Sequence, residues 1–354
     1  MLKVVVAMSG GVDSSVAAAL LKQQGYEVVG MMLRLWSESG REDSNRCCTP
    51  DAMALARRVA AKLEIPFYVV DAKQIFKETV VQYFIDGYAR GETPNPCLVC
   101  NRQIRWKYLL DHAQALDADF MATGHYVRLK DDERGGKRLL KAVDTSKDQS
   151  YVLHVLTQEK LNKALFPVGD YPKPEIRKLA ESFGLPTAHR QDSQDLCFLA
   201  GDDYRNFLSR NTEGLFSQGS IVYPSGEVIG SHTGLANYTI GQRKGLGISS
   251  SVPLYVIRKD MATNTLVVGD EEHLGSSDLI ADDVNWISGE VIEKSFHAEV
   301  KIRYTAKEAP AMVTQFDQGR QVRIHFDNPQ RDITAGQAAV FYQGDVLIGG
   351  GIIQ

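Results

Sequence analysis

A doubly wound parallel sheet followed by two small all-β domains is the fold class the sequence predicts, and three observations predict it. Short apolar strands alternate with helical stretches through the first half, the texture turns glycine-punctuated and β-branched beyond about Tyr204, and a polar segment from His273 to Asp283 divides that second half. At 354 residues the chain exceeds what one core usually serves, so several domains are expected, at 1–203, 204–272 and 276–354. Val4 to Met8 reads as a first strand, Val12 to Gln24 as a helix stopped by Gly25, and Glu27 to Leu33 as a second strand. Thr49 before Pro50 supplies an N-cap and first-turn pair for a helix to about Leu63. Phe67 to Val70 makes the next strand, and Phe120 to Thr123 a short one running into Gly124 and His125. GSIVYPSGEVIG, LYVIRKD and TLVVGD read as strands of the central unit, and EVKIRY, MVTQF, QVRIHF and AVFYQGDVLIGGGII as those of the last. Trp36 to Arg46 reads as a polar, mobile loop, and no fixed-period repeat is evident.

Composition narrows the function classes. Hydrophobic content of 44% and charged content of 24% are ordinary for a soluble protein, and the longest apolar runs are too short to span a bilayer. The opening apolar stretch, Leu2 to Met8, meets SGG and an acidic residue rather than a cleavage site, which places the expected protein in the cytoplasm. A net charge of −4 gives no global pull on nucleic acid, so any such binding must rest on local basic patches, of which the tract GQRKGLG with Arg243 and Lys244 reads as a basic hairpin. Five cysteines, an odd number without a secretion signal, argue for thiol or metal chemistry over a disulfide framework.

The segment AMSGGVDSS, Ala7 to Ser15, joins a strand to a helix start, where unpaired N–H groups and the helix dipole favour an anion. Gly10 and Gly11 allow close backbone approach to phosphate oxygens, Ser9, Ser14 and Ser15 add hydroxyls, and Asp13 suits Mg²⁺ or a water on it. The alternative is a small-residue turn of no function. The loop lacks the GK[ST] ending of a Walker motif and the spacing of GxGxxG. It resembles instead the SGGxDS loop of the ATP pyrophosphatases (PP-loop type), which grip pyrophosphate and transfer AMP to a substrate oxygen.

Three cysteines occupy two settings, TPNPCLVCNRQIRW with Cys97 and Cys100, and DSQDLCF with Cys197. With SGGVDSS, ATGHYVR, KDQSY, GQRKGLGI, KIRY and GQAAVFY, they make nearly the whole chain resemble the tRNA-specific 2-thiouridylases. The resemblance implies an enzyme that adenylates the C2 carbonyl oxygen of a wobble uridine in tRNA and replaces it with sulfur. It implies Cys197 as carrier of a persulfide delivered by a sulfur-relay or cysteine desulfurase protein, and Cys100 as the thiol that resolves it with a Cys100–Cys197 disulfide. Nearby basic residues such as Arg102 would lower a thiol pKa. ATP contacts fall on Ala7, Met8, Ser9, Gly10, Gly11, Val12, Asp13, Ser14, Leu33 and Gly124, with Mg²⁺ accompanying the nucleotide. Contacts to tRNA fall on Asn95, Pro96, Cys97, His125, Lys147, Asp148, Gln149, Arg303, Tyr304 and Gln337, of which Lys147 and Arg303 suit phosphates and Tyr304 an unpaired base. Any one of these alone reads as an ordinary surface or loop residue. Cys47 and Cys48 read as small core hydrophobes.

Cys97 departs from the family pattern, which commonly has aspartate there. Cys97, Cys100 and Cys197 then form a three-thiolate set of the kind that holds a 4Fe-4S cluster with one iron open to sulfide, or zinc. Two other readings stand beside this one. One is an ATP pyrophosphatase using a nitrogen nucleophile, which the cysteines oppose. The other is a non-catalytic metal- or RNA-binding relative, which the intact loop opposes.

Overall fold

The computed structural model describes residues 1–41, 49–133, 135–191, 196–199, 201–290 and 294–354. Cys47, Cys48 and residues 42–46 of the polar loop expected from Trp36 to Arg46 lie outside them. Strands β1 (Lys3–Ala7), β2 (Glu27–Arg34), β3 (Phe67–Asp71) and β4 (Phe120–Ala122) pair in parallel as expected. Ala164–Leu165, just after the helix Gln158–Leu161, add a fifth strand, giving the order β3-β2-β1-β4 followed by that short edge. Valines 4, 5 and 6 of β1 are wholly buried because helices cover both faces, which is why its apolar run does not alternate.

The order reverses between β1 and β4: the chain leaves β1 toward β2 on one side, and β4 lies on the other. A crevice therefore opens at the carboxyl ends of these two strands, where ligands of such sheets bind. The helix Val12–Gln23 starts at that crevice, and Gly25, in the left-handed region at φ 86°, follows its end. Thr49 caps the helix Pro50–Lys62 as expected, its hydroxyl oxygen accepting the Ala52 N–H at 3.0 Å.

Two β-sheets follow. Gly219–Val222, Val228–His232, Tyr255–Asp260 and Thr265–Gly269 form a four-stranded sheet with one parallel pairing. Ser276–Trp286, Ser295–Lys301, Ala309–Phe316, Gln321–Gln330, Ala338–Gln343 and Val346–Ile353 close into an antiparallel barrel, because the first and last of them also pair. GQRKGLG forms turns rather than a strand hairpin: Arg243 and Lys244 are exposed, while Leu246 is buried in the core of that unit.

One feature was not expected. The strands Val127–Asp131 and Lys137–Lys141 form a hairpin within the first 203 residues, yet Leu139 and Leu140 pair with Leu347 and Val346 of the barrel. Arg128 ties the same seam by an ion pair to Asp345 at 2.8 Å. Among the described residues no helix is long and apolar enough to cross a membrane.

Candidate active site

The loop after β1 is shaped by its own small residues. Gly10 has φ 71°, a conformation that favours glycine, and its carbonyl oxygen accepts a hydrogen bond from Arg190 Nη1 at 2.7 Å. Gly11 precedes the helix Val12–Gln23 without any side-chain cap, so its first N–H groups are not claimed by a side chain. The Ser14 and Ser15 hydroxyls lean back on the Gly11 carbonyl, at 3.3 and 2.7 Å, and Ser15 is fully buried, which makes Ser15 a brace of the turn. Gly124 must be a glycine: a Cβ there would stand 2.6 Å from the Ser14 nitrogen.

Asp13, expected to suit Mg²⁺ or a water on it, is held here by two protein groups. Its carboxylate accepts from Lys173 Nζ at 2.7 and 2.8 Å and from the Tyr126 hydroxyl at 2.7 Å. Lys173 is 7% exposed, opens the helix Lys173–Ser182, and also stands over the Tyr126 ring at 5.6 Å. The sequence reading missed both Lys173 and Arg190, since each stands alone in its segment; only the basic character of KPEIRK and HR marks them.

A cavity of about 1070 Å³ runs from this loop to the barrel. Its wall gathers most of the expected nucleotide residues: Ala7, Met8, Ser9, Gly11, Val12, Asp13, Ser14, Leu33 and Gly124. It also gathers Asn95, Pro96, Cys97, His125, Lys147, Gln149, Tyr304 and Gln337 of the expected RNA set, together with Cys100 and Cys197. Gly10, Asp148 and Arg303 are not in the wall. Asp148 organises the turn before Ser150, accepting from the Ser150 hydroxyl at 2.6 Å and from the Ala142 N–H at 2.9 Å. Arg303 is not arranged as a phosphate contact: it is largely buried, and it donates to the Ile240 carbonyl at 3.2 Å and to the Thr334 hydroxyl, bracing the central unit against the barrel.

The cysteines divide by their packing. Asn95 caps the helix Pro96–Val99 by accepting the Cys97 N–H at 3.1 Å, with Pro96 in the first turn, and Cys100 opens a π-helical run, Cys100–Leu109. Such widened turns recur at functional sites because they redirect side chains. Cys100 and Cys197 pack against one apolar cluster, with Phe84 and Phe198; Cys97 packs against another, with Leu98 and Trp106. All three are partly buried thiols, and the Cys100–Cys197 disulfide is not formed. Among the described residues no group of three His, Cys, Asp or Glu side chains is placed to hold a metal ion. The expected three-thiolate set for a 4Fe-4S cluster or zinc is therefore not met by this arrangement. Arg102 is also not the cation facing the cavity; it pairs with Asp283 of the barrel, whereas Arg105 lines the wall.

Arg105 fixes His125. Its Nη1 lies 2.8 Å from His125 Nε2, and since a guanidinium only donates, Nε2 accepts, so Nδ1 carries the proton and donates to the Thr123 hydroxyl oxygen at 2.8 Å. Burial first, and the Arg105 charge second, hold the imidazole pKa well below its usual value. His125 is thus a neutral, oriented ring beside Gly124.

Three family profiles match in succession: "tRNA methyl transferase HUP domain" over residues 2–201, "tRNA methyl transferase PRC-barrel domain" over 205–270 and "Aminomethyltransferase beta-barrel domain" over 276–353. The chain is 48% identical over 356 aligned residues to tRNA-specific 2-thiouridylase MnmA 2 of Caldanaerobacter subterraneus subsp. tengcongensis, covering 99% of this chain and 98% of that one. It is 45% identical over 354 residues to tRNA-specific 2-thiouridylase MnmA of Clostridioides difficile, with coverage of 99% and 98%. Among solved structures, the U34-tRNA thiolase NcsA from Methanococcus maripaludis with its [4Fe-4S] cluster is 23% identical, covering 60% of this chain and 65% of that one at a TM-score of 0.36, a likeness that carries nothing about a cluster here. With identity near one half over its full length, the chain belongs to the tRNA-specific 2-thiouridylases, the enzymes that use ATP to place sulfur at position 2 of the wobble uridine in tRNA.

Proposed function

We propose that this chain performs the reaction with Cys100 and Cys197 as its sulfur chemistry and the loop Ala7–Ser14 as its ATP grip. The observation that supports it is the single cavity wall shared by that loop, by both thiols and by the exposed ring of Tyr304. The uridine O2 attacks the α-phosphate of ATP, the N3 proton leaves, and pyrophosphate departs. Lys173 and the uncapped helix start would offset the negative charge that develops on the departing pyrophosphate. Asp13, which here accepts from Lys173 and Tyr126, and the serines of the loop are the residues that would hold Mg²⁺ beside the phosphates of ATP, where the ion would neutralise phosphate charge.

The terminal sulfur of a persulfide on Cys197 then attacks C2 and AMP leaves with the former O2. Cys100 thiolate attacks the Cys197 sulfur, breaks its S–S bond, and leaves the transferred sulfur on C2; the resulting Cys100–Cys197 disulfide is reopened by a thiol reductant. Their packing on one apolar cluster supports this pairing, and Cys97, on another, stands aside. The persulfide comes from a sulfur-relay or cysteine desulfurase protein in the cytoplasm. The working units are 1–203 for catalysis and, through Lys147, part of the RNA grip, and 204–272 and 276–354 for the rest of that grip, through Tyr304 among others.

Nucleoside mass spectrometry of tRNA incubated with the protein, ATP and a persulfide donor tests the reading. A gain of one sulfur in place of oxygen on uridine, absent without ATP and absent in Cys197→Ser, is expected. Thiolation that persists in Cys197→Ser would remove the assignment.

A further inference from the structure

A closed circuit of hydrogen bonds joins the phosphate loop to the turn at residues 144–149. From Asp13 one branch goes to Tyr126, whose hydroxyl gives its only proton to Asp13 Oδ1 at 2.7 Å. Gln149 grips Tyr126 at both of its backbone groups: the Tyr126 N–H donates to Gln149 Oε1 at 3.0 Å, and the Tyr126 carbonyl accepts the Gln149 N–H at 2.9 Å. The other branch goes from Asp13 to Lys173 Nζ, at 2.7 and 2.8 Å, and the Lys173 backbone N–H donates to Asp144 Oδ2 at 2.9 Å. Asp144 shapes the same turn, accepting from the Ser146 N–H and hydroxyl at 3.1 and 2.6 Å, while its carbonyl accepts the Lys147 N–H at 3.0 Å. The two branches therefore start at one carboxylate and finish at the two ends of one turn.

The struts are enclosed and the turn is not. Tyr126 is 3% exposed and Lys173 7%, with the ammonium standing over the Tyr126 ring at 5.6 Å, whereas Thr145 and Ser146 at the turn are exposed. In a close-packed interior neither strut has empty space to swing into, so an adjustment of the turn reaches Asp13 instead of being absorbed on the way. The chain just beyond the turn is fastened to the barrel. The Ser150 hydroxyl, which donates to Asp148 Oδ2 at 2.6 Å, lies 3.0 Å from the Tyr342 hydroxyl, and Tyr151 donates to the Ala338 carbonyl at 3.0 Å.

We propose that Tyr126 and Asp144 are positioning residues that couple RNA binding at the turn to ATP binding at the phosphate loop. In this role they act through Asp13 and Lys173 rather than on the reacting atoms. RNA held by Lys147 fixes the turn, and with it both struts, so the Asp13–Lys173 pair has less freedom left to lose when it meets the phosphates of ATP. The second ligand then binds at a smaller ordering cost, whichever of the two arrives first, because such coupling is reciprocal. ATP is gripped most tightly once the RNA acceptor is seated. This rests on the reading of the loop as the ATP grip and of Lys147 as an RNA contact, and adds how one site senses the other.

The test is equilibrium binding of α,β-methylene-ATP with Mg²⁺, an analogue that cannot release pyrophosphate, to the full chain with and without a saturating tRNA transcript carrying a wobble uridine. The wild-type protein should bind the analogue at least about fivefold more tightly with RNA present, and the RNA should bind more tightly by the same factor with the analogue present. Tyr126→Phe, which removes one hydroxyl and keeps the ring, and Asp144→Ala should each bring that factor below about twofold. A merely structural loss would weaken each ligand by itself and leave the ratio standing. A wild-type factor already below about twofold, or an unchanged factor in either variant, would overturn the proposal, and the wild-type arm needs no variant to fold. AMP transfer with ATP itself is followed alongside: its absence together with a retained wild-type factor would strike the reaction and leave the coupling standing.

Discussion

Lys173 Nζ is clasped by both carboxylate oxygens of Asp13, at 2.7 and 2.8 Å, although the two residues are 160 positions apart. The pair fixes a cation at the mouth of the phosphate loop. Lys173→Ala and Asp13→Asn should each slow ATP-dependent AMP transfer by about 10²-fold or more while leaving tRNA affinity within about twofold. Pyrophosphate release in single turnover and a filter-binding curve measure the two quantities. Normal AMP transfer in Lys173→Ala would show that the ammonium serves only to hold the loop.

Gly124 separates β4 from the helix start by the width of a missing methyl group. Gly124→Ala should cost about 1–3 kcal/mol of stability, because the new Cβ forces the Ser14 backbone away. It should also weaken ATP binding, read as a smaller rise in melting temperature on adding ATP.

Arg303 and Tyr304 are adjacent but do different things. Arg303→Ala should destabilise the protein by about 1–3 kcal/mol, since it removes a charged donor from Ile240 and Thr334, and should leave the salt dependence of tRNA binding unchanged. Tyr304→Ala should weaken tRNA binding by about 1–3 kcal/mol with little change in stability. Urea unfolding and binding across a salt series separate the two. A shallower salt slope in Arg303→Ala would restore it as a phosphate contact.

The packing of the thiols predicts unequal consequences. Cys100→Ser and Cys197→Ser should abolish multiple-turnover thiolation, whereas Cys97→Asp should retain it, because Cys97 lies on a different apolar cluster. Thiolated nucleoside yield is the readout. A Cys97→Asp protein that adenylates but does not thiolate would bring Cys97 into the sulfur step.

His154 gives a pH signature of the fold. It is fully buried, and that burial lowers its pKa from 6.5 to about 4; His125 is lowered likewise. Below pH 6.5 the unfolded chain takes up protons that the native rings refuse, so this stability is complete above pH 6.5 and is lost as pH falls toward 4. Each ring contributes a slope of roughly 1 kcal/mol per pH unit. Urea unfolding from pH 7 to 4.5 should show the decline, and His154→Asn should flatten part of it.

Much of this was readable in the sequence because its chemistry is contiguous. SGGVDSS needs only its neighbours to make an anion site, and Thr49-Pro50 needs only itself to start a helix. Lys173 and Arg190 escaped because their partners, Asp13 and Gly10, lie far away along the chain. The run Cys100–Leu109 escaped because a π-helix breaks the 3.6-residue period by which helical faces are read, and this also misdirected Arg102, whose partner is Asp283. The hairpin Val127–Asp131 with Lys137–Lys141 escaped because its outer pairing, to Val346 and Leu347, is decided by tertiary contact rather than local pattern.

That hairpin bears on how the enzyme comes into being. A chain emerging from the ribosome amino end first presents the phosphate loop, Lys173 and Cys197 well before Tyr304, Gln337 and the strand that clamps Leu139 and Leu140 have been made. A nascent or prematurely ended product can thus assemble a nucleotide grip while lacking part of the wall that receives RNA. The order of synthesis therefore leaves the hairpin edge at Leu139 and Leu140 unpaired until the last strand, Val346–Ile353, has been made.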